Sequence, residues 1–161
     1  MLIITGLAGA GKTIALDTLE DLGYYCIDNL PSALLDSLVR DFAGKQPQPV
    51  AVAMDSRNAA DLAALPEKIR NLRTLADIQI LFLTADTDVL VRRYSETRRP
   101  HPLHIHAENP RALPEAIEYE RHLLNPLMNL ADIILDTSHY SVYQLKDRLR
   151  TVLGDAAPSL I

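Results

Sequence analysis

Short apolar runs alternate with longer amphipathic stretches along this chain. Five runs are short, apolar and bounded by glycine, proline or polar residues, so we predict strands at Leu2–Thr5, Tyr24–Ile27, Val50–Met54, Ile78–Leu83 and Ile133–Leu135. The stretches between and after them carry apolar residues at helical spacing and predict helices at Lys12–Leu22, Pro31–Phe42, Ala59–Ala76, Thr87–Thr97, Pro114–Met128 and Ser141–Leu153. Buried strands that alternate with helices are typical of a parallel sheet. The pattern therefore predicts a three-layer α/β domain with about five parallel strands and helices on both faces of the sheet.

Glycine and proline mark the ends of several predicted elements. We expect Gly23 to cap the first helix at its C-terminus. Pro126 should bend or end the helix in which it lies, because proline removes a backbone donor. Prolines also mark Arg98–Pro110 as a loop. We expect one domain over residues 1–154, and we interpret residues 155–161 as the start of a linker to a further domain.

The composition fits one ordinary globular domain. The chain has 161 residues, of which 48% are hydrophobic and 23% are charged. Its formal charge of −5 offers no general positive field for nucleic acid. Cys26 is the sole cysteine, so no intrachain disulfide can form and a reducing cytoplasm is expected. No basic leader precedes the first strand and no apolar run reaches ~20 residues, so we expect neither a signal peptide nor a membrane span.

The turn after the first predicted strand carries the strongest chemical signal. It matches G-x-x-x-x-G-K-[ST] in full with Gly6, Leu7, Ala8, Gly9, Ala10, Gly11, Lys12 and Thr13. Backbone N–H groups of such a loop, and the helix N-terminus after it, bind phosphate oxygens. Lys12 would reach the β- and γ-phosphates, and the Thr13 hydroxyl would coordinate Mg²⁺. The alternative is a glycine-rich turn with a solvated lysine; the glycine spacing disfavours a dinucleotide-binding fingerprint.

Three carboxylates could complete a site around this loop. Asp55 follows an apolar strand, as a Walker B aspartate does, and is our candidate for Mg²⁺. Asp86 is the rival, although its strand passes through Thr84, which is not acidic. Asp28 follows the second strand and would orient a water or an acceptor hydroxyl. Its alternative role is to cap the helix that starts near Pro31.

Four arginines crowd into eight residues at Arg92, Arg93, Arg98 and Arg99. Arginine forks bind phosphate oxygens and stabilise charge during phosphoryl transfer, so we take Arg93, Arg98 and Arg99 as catalytic candidates together with Lys12 and Asp28. On a helix Arg92 and Arg99 share a face while Arg93 lies off it, so about two of the four would reach one ligand. The loop after Arg99 would act as a lid. The alternative is a solvated basic face.

Three histidines lie within the predicted loop at His101, His104 and His106. A zinc site would need a further ligand and a defined geometry. We therefore interpret these histidines as part of a polar loop and predict no metal there.

Stretches along nearly the whole chain resemble the N-terminal domain of the RapZ family, which comprises RNase adapter proteins and YvcJ-type nucleotide-binding proteins. The most specific are YYCIDNLP and RRYSETRRPHPL. The matching stretches are Gly6–Thr13, Ala15-Leu16, Leu19–Pro31, Asp55–Asn58, Leu81–Leu83, Arg92–Leu103, Ala131-Asp132 and Asp136–Ser138.

The resemblance implies a kinase-like P-loop fold that binds ATP and GTP and hydrolyses them slowly. It assigns ATP to the loop Gly6–Thr13 and GTP to Asp55, Ser56, Arg57 and Asn58. It implies that full-length members in enteric bacteria bind small RNAs and steer their cleavage by RNase E, which tunes glucosamine-6-phosphate synthesis, through a C-terminal domain. One departure is Thr84, where relatives often carry aspartate, which weakens a metal role for that strand end.

Other classes of function stay open at this point. A small-molecule kinase similar to shikimate kinase would use Asp28 and the lid arginines. A non-hydrolysing scaffold would use the pocket for assembly alone, and a homo-oligomer of the full-length protein is also open. No Asn-Lys-x-Asp motif is present, which disfavours a dedicated GTPase.

Overall fold

A single parallel sheet organises the computed structural model, which describes residues 1–54, 59–97 and 113–154. Its strands are β1 Leu2–Gly6, β2 Tyr25–Ile27, β3 Val50–Ala53, β4 Gln79–Thr84 and β5 Ile133–Asp136. The α-helices of these ranges are α1 Lys12–Asp21, α2 Leu35–Ser37, α3 Ala59–Leu72, α4 Thr87–Thr97, α5 Leu113–Leu130 and α6 Val142–Gly154. The pairs β1–β3, β1–β4, β2–β3 and β4–β5 are all parallel. The predicted α/β architecture is confirmed.

The strand order is β2-β3-β1-β4-β5, which puts β1 in the centre of the sheet. Because crossovers between parallel strands are right-handed, a connection that moves toward the β2 edge of the sheet places its helix on one face. A connection that moves toward the β5 edge places its helix on the other face. Accordingly, α1 packs against α6 on one face, while α5 packs against α3 and α4 on the other. The connection after β1 leaves to one face, and those after its neighbours β3 and β4 leave to the other. A crevice at the carboxyl end of β1 follows, which is where open α/β sheets bind ligands.

The core is almost entirely aliphatic. Ile3, Ile4, Leu81 and Leu83 are fully buried on the two central strands. Helices cover both faces of these strands, so their sequences are continuously apolar rather than alternating. This explains why the strands were predictable from short apolar runs. None of the helices in the described part of the chain is long and apolar enough to cross a membrane.

The first helix ends in a glycine cap, as predicted. Gly23 has φ +95°, and its N–H donates to Glu20 O at 3.0 Å. The N–H of Tyr24 donates to Leu19 O at 3.0 Å, which completes a Schellman motif. Tyr24 therefore belongs to the cap, and β2 begins one residue later than predicted.

The predicted single helix over residues 31–42 is wrong in its detail. The chain makes a 3-10 turn at Ser32–Leu34, the short α2, a π-helical turn at Leu38–Phe42 and another 3-10 turn at Ala43–Lys45. The ring of Phe42 meets the ring of Tyr25 edge-on, with centroids 5.4 Å apart. Packing against the edge strand thus overrides a regular helical repeat.

Two helix ends also differ from prediction. Helix α5 continues through Pro126 to Leu130, so Pro126 does not end it, and of the two predicted effects only a bend stays a prediction. The buried side chains of Leu124 and Leu127 hold that helix on the core on both sides of the proline, which outweighs the lost backbone bond. Helix α3 ends at Leu72 rather than residue 76. The predicted loop over residues 98–110 lies wholly outside the described residues, as does the linker over 155–161.

Candidate phosphate-binding site

The loop that follows β1 crosses very close to the neighbouring strand β4. Gly6 has φ +140°, and a Cβ on it would lie 2.1 Å from the carbonyl oxygen of Leu83. The N–H of Leu7 donates to that same oxygen at 3.0 Å. No side chain fits between the two backbones, so glycine is required at position 6. Gly9 and Gly11 also adopt positive φ, at +84° and +116°, which curls the chain into a tight turn.

The start of helix α1 is left open by its own sequence. Gly11 is the N-cap residue and has no side chain to cap that end, and the first turn contains no acidic residue. Within the described ranges, the N–H groups of Gly9, Gly11 and Thr13 donate to no other group. Backbone donors and the positive end of a helix are thus available in one concave turn, which fits a phosphate group.

Lys12 spans the turn from inside. Its ammonium group donates to the carbonyl oxygen of Gly6 at 2.8 Å and is partly buried. Thr13 is exposed at the first turn of α1, so its hydroxyl can reach a ligand or cation bound at this loop. In the chain that the structure describes, no group of three or more His, Cys, Asp or Glu residues could hold a metal ion. Asp55, the carboxylate predicted to hold Mg²⁺, lies outside the described residues.

Asp28 lies exposed directly after β2, at the carboxyl edge of the sheet. Asn29 turns the chain with φ +54°, and the N–H of Leu30 returns to Ala53 O at 3.2 Å. The following helical turn has Pro31 as its N-cap, with no side-chain hydrogen bond. The alternative prediction that Asp28 caps this helix is therefore wrong.

The two other candidate carboxylates belong to neighbouring strand ends. Asp55 to Asn58 lie outside the described residues; Met54, which precedes them, donates its N–H to Ile4 O of β1 at 3.0 Å. The end of β3 therefore runs beside the strand that leads into the loop. Asp86 is exposed at the start of α4, and its N–H donates to Ser138 Oγ at 2.8 Å.

Arg93 is the candidate arginine that the structure brings to the loop. Its guanidinium donates to Gly9 O at 3.0 Å, to Thr137 Oγ1 at 3.0 Å and to Thr137 O at 2.6 Å. Arg92, beside it on α4, is exposed. Arg98 and Arg99 lie outside the described residues, as do the three loop histidines. Arg93 thus contacts the backbone of the loop itself, a contact that helical spacing alone did not indicate.

Two buried polar side chains at this loop escaped the sequence reasoning. Glu120 is fully buried, and its carboxylate accepts the N–H of Ala8 at 2.9 Å. Thr137 is also fully buried, and its hydroxyl donates to Ala10 O at 2.7 Å. The signal for Glu120 was its place in an apolar stripe of α5, between Ile117 and Leu124. Thr137 falls only within the family-matching stretch Asp136–Ser138, which assigns no role to it.

Tyr94 packs against the outside of the same turn. A Cβ on Gly9 would lie 3.3 Å from the Tyr94 ring, so glycine lets the loop and α4 approach closely. Burial raises the pKa of Tyr94 well above its usual range, and the nearby charge of Glu120 acts in the same direction. Tyr94 is therefore a neutral wall of the loop at physiological pH.

The parallel sheet and the loop together define an α/β domain with a kinase-like P-loop fold. The structure is similar to a shikimate kinase from Bacteroides thetaiotaomicron, with a TM-score of 0.61 and 16% identity over 95% of this chain and 97% of that one. It is also similar to thymidylate kinase from Candida albicans, with a TM-score of 0.57 and 13% identity over 96% and 91% of the two chains. At these identities the similarity establishes the fold alone.

This chain belongs to the RapZ-like N-terminal domain family, whose sequence model matches residues 1–157. A nucleotide-binding protein of Dichelobacter nodosus is 55% identical over 161 residues, which cover 100% of this chain and 57% of the relative. A nucleotide-binding protein of Methylococcus capsulatus is 43% identical over 159 residues, which cover 96% and 53%. The chain therefore spans little more than half the length of these relatives. The family resemblance found in the sequence is confirmed.

Proposed function

We propose that this domain binds a nucleoside triphosphate, ATP or GTP, with its phosphates in the loop Gly6–Thr13. The supporting observation is the open start of α1, where three backbone N–H groups lie in one turn without a protein acceptor among the described residues. A polyphosphate would supply those acceptors and place negative charge at the positive end of the helix. The names of the relatives, which are called nucleotide-binding proteins, support the same ligand class.

Lys12 would bind the outer phosphates by moving its ammonium group from Gly6 O to the ligand. Thr13 and Asp55 would hold Mg²⁺, which neutralises phosphate charge when it is bound. We propose that hydrolysis is slow, and that Arg98 and Arg99 stabilise the charge that develops. Asp28, exposed at the carboxyl edge of the sheet, would orient the attacking water.

The finer assignments follow the family. We propose that Asp55, Ser56, Arg57 and Asn58 serve GTP, and that the domain is the regulatory, nucleotide-binding part of an RNase adapter-type protein of the cytoplasm. Small RNA and an RNase would be bound by the remainder of the full-length protein. The formal charge of −5 on this chain supports that division, because RNA binding depends on neutralising phosphates.

A small-molecule kinase is the second candidate. The observation that favours it is Asp28, an exposed carboxylate at the strand end that does not cap the turn after it. Such a group could accept a proton from an acceptor hydroxyl. If one metabolite raised ATP consumption and were recovered in phosphorylated form, the kinase proposal would displace the proposal of slow hydrolysis.

The test is a calorimetric titration of ATP, GTP and tripolyphosphate, each with and without Mg²⁺. We expect Lys12→Ala to weaken triphosphate binding by roughly 100-fold, because a charge-assisted contact to phosphate is lost. Lys45→Ala is the matched control, since Lys45 is exposed far along the chain from the loop. Equal affinities of the wild type and Lys12→Ala would refute the proposed site.

A further inference from the structure

We infer that Thr137 is a positioning residue for phosphate binding, which acts by fixing the direction of one peptide unit in the loop. Its side chain is fully buried and contacts the loop through the carbonyl oxygen of Ala10. The inference rests on the proposed function, because it concerns how the same loop is held ready for its anion.

The first step is the orientation of the peptide unit between Ala10 and Gly11. The Thr137 hydroxyl donates to Ala10 O at 2.7 Å, inside the protein. In a trans peptide the C=O and N–H bonds point in opposite directions. Holding the carbonyl of Ala10 inward therefore turns the N–H of Gly11 outward, where it has no acceptor among the described residues.

The second step is the direction of the hydroxyl proton. A guanidinium is a donor only, so the Arg93 contact at 3.0 Å uses the Thr137 oxygen as acceptor. The hydroxyl must then give its own proton elsewhere, and Ala10 O is nearer than Thr84 O, at 2.7 Å against 3.3 Å. Arg93 also donates to Thr137 O and to Gly9 O, which ties α4, the end of β5 and the loop together.

A second buried contact orients the preceding part of the loop in the same manner. Glu120 accepts the N–H of Ala8 at 2.9 Å. The carbonyl of Leu7, in the same peptide unit, points the other way and accepts the N–H of Ala10 at 3.0 Å. Of these two contacts Thr137 is the one that exposes an N–H to the ligand, and it offers a cleaner substitution than a buried carboxylate.

The test compares three threonine variants of the chain by titration with Mg·ATP and with tripolyphosphate. Thr137→Val keeps the shape but removes the hydroxyl, and we expect both ligands to bind roughly tenfold more weakly. Thr137→Ser keeps the hydroxyl and should restore affinity to within about twofold of the wild type. Thr18→Val is the matched control, because Thr18 is equally buried and its hydroxyl donates to Ile14 O at 2.8 Å within α1.

Thermal unfolding of each variant separates positioning from general stability. We expect Thr137→Val to lose more stability than Thr18→Val, because its hydroxyl has more partners, so both variants are compared at a temperature where they are folded. Under those conditions only Thr137→Val should lose affinity. In ¹H–¹⁵N spectra the Gly11 amide, one of six glycines, should shift on adding tripolyphosphate to the wild type and shift less in Thr137→Val.

The outcomes distinguish this inference from the proposed function. A wild type that binds neither ligand overturns both. A wild type that binds, with a folded Thr137→Val that binds equally well, overturns the positioning role alone. Should Thr137→Val not fold, Thr137→Ala is titrated instead; it also lacks the hydroxyl that holds Ala10 O, and unchanged affinity would overturn the inference.

Discussion

Helices α1 and α6 lie side by side and begin at the same edge of the sheet, yet their first turns are satisfied in opposite ways. Helix α6 closes its own end: Gln144 N–H donates to Ser141 Oγ at 3.2 Å, and Ser141 N–H donates to Gln144 Oε1 at 2.9 Å. This reciprocal pair is a capping box. Helix α1 begins at Gly11 with no side-chain cap.

The contrast between the two helix starts shows where this fold can bind an anion. A helix N-terminus that its own side chains satisfy has nothing left for an anion, whereas one that begins with glycine keeps its donors. The two ends share a sheet edge and a helix layer, so the local sequence decides between them. In the turn before α1, Glu120 and Thr137 contact the buried side of the loop, and the backbone N–H donors that stay free among the described residues lie on its other side.

The largest predicted effect comes from a substitution in the turn that precedes α1. Gly6→Ala places a Cβ 2.1 Å from a backbone oxygen at φ +140°, so we expect a loss of about 3 kcal/mol or more in the free energy of unfolding. Chemical denaturation of the wild type and the variant measures it. The matched control is Gly23→Ala, which has φ +95° but open space around its Cβ, and should cost about 1–2 kcal/mol. Equal costs at the two positions would contradict the close crossing at Gly6.

A smaller effect is expected from a substitution at the capped N-terminus of α6. Ser141→Ala removes the capping box of α6 and should cost about 1 kcal/mol in unfolding free energy. Because α6 is closed by its own side chains, the gain in stability on adding Mg·ATP should equal that of the wild type. Thermal unfolding with and without the ligand measures both quantities.

The control for that variant is Ser95→Ala. Ser95 is exposed and donates to Val91 O within α4, so it caps nothing, and its substitution should stay within about 0.5 kcal/mol. If Ser141→Ala instead removed the stabilisation by nucleotide, it would be wrong to conclude that the nucleotide binds at the start of α1 independently of the start of α6.

The same comparison separates what sequence could predict from what it could not. The loop Gly6–Thr13 and the buried strands were predictable because glycine spacing and apolar runs are local properties. The contacts Glu120–Ala8 and Thr137–Ala10 join residues 112 and 127 positions apart, and no local pattern encodes them. The capping box of α6 can be recognised in the sequence as S-x-x-Q. Its contrast with the uncapped start of α1 is visible only in the structure, which places the two helices side by side.

The role of Arg93 illustrates the same limit. Arginine composition indicated phosphate chemistry, but the guanidinium of Arg93 contacts the carbonyl of Gly9 in the loop and both oxygens of Thr137. Which arginine faces the loop depends on how α4 packs, which is a tertiary property. The irregular segment over residues 32–45 has the same origin, since contact with the edge strand breaks the local helical repeat.

The smallest predicted effect lies in the turn that leads to α6. Asp136 accepts both the N–H and the hydroxyl of Ser138, and these bonds, with the charges of His139 and Arg121, lower the pKa of the Asp136 carboxyl. A lowered pKa in the folded state means that the ionised carboxylate favours folding above the unfolded value of ~3.9, and that this contribution is lost as the pH falls below it. Asp136 is exposed, so solvent screening keeps the effect within about 1 kcal/mol.

Asp136→Asn removes this charge while an oxygen remains to accept from Ser138. We therefore expect the stability difference between wild type and variant, measured by denaturation from pH 7 to pH 2, to be largest at neutral pH and to shrink below about pH 4. Nucleotide affinity should not change, because the α6 turn is satisfied by its own side chains whereas the α1 turn is not. A difference that stays constant across this pH range would mean that the carboxylate charge does not stabilise the closed turn, and a loss of affinity would mean that the two turns are not independent.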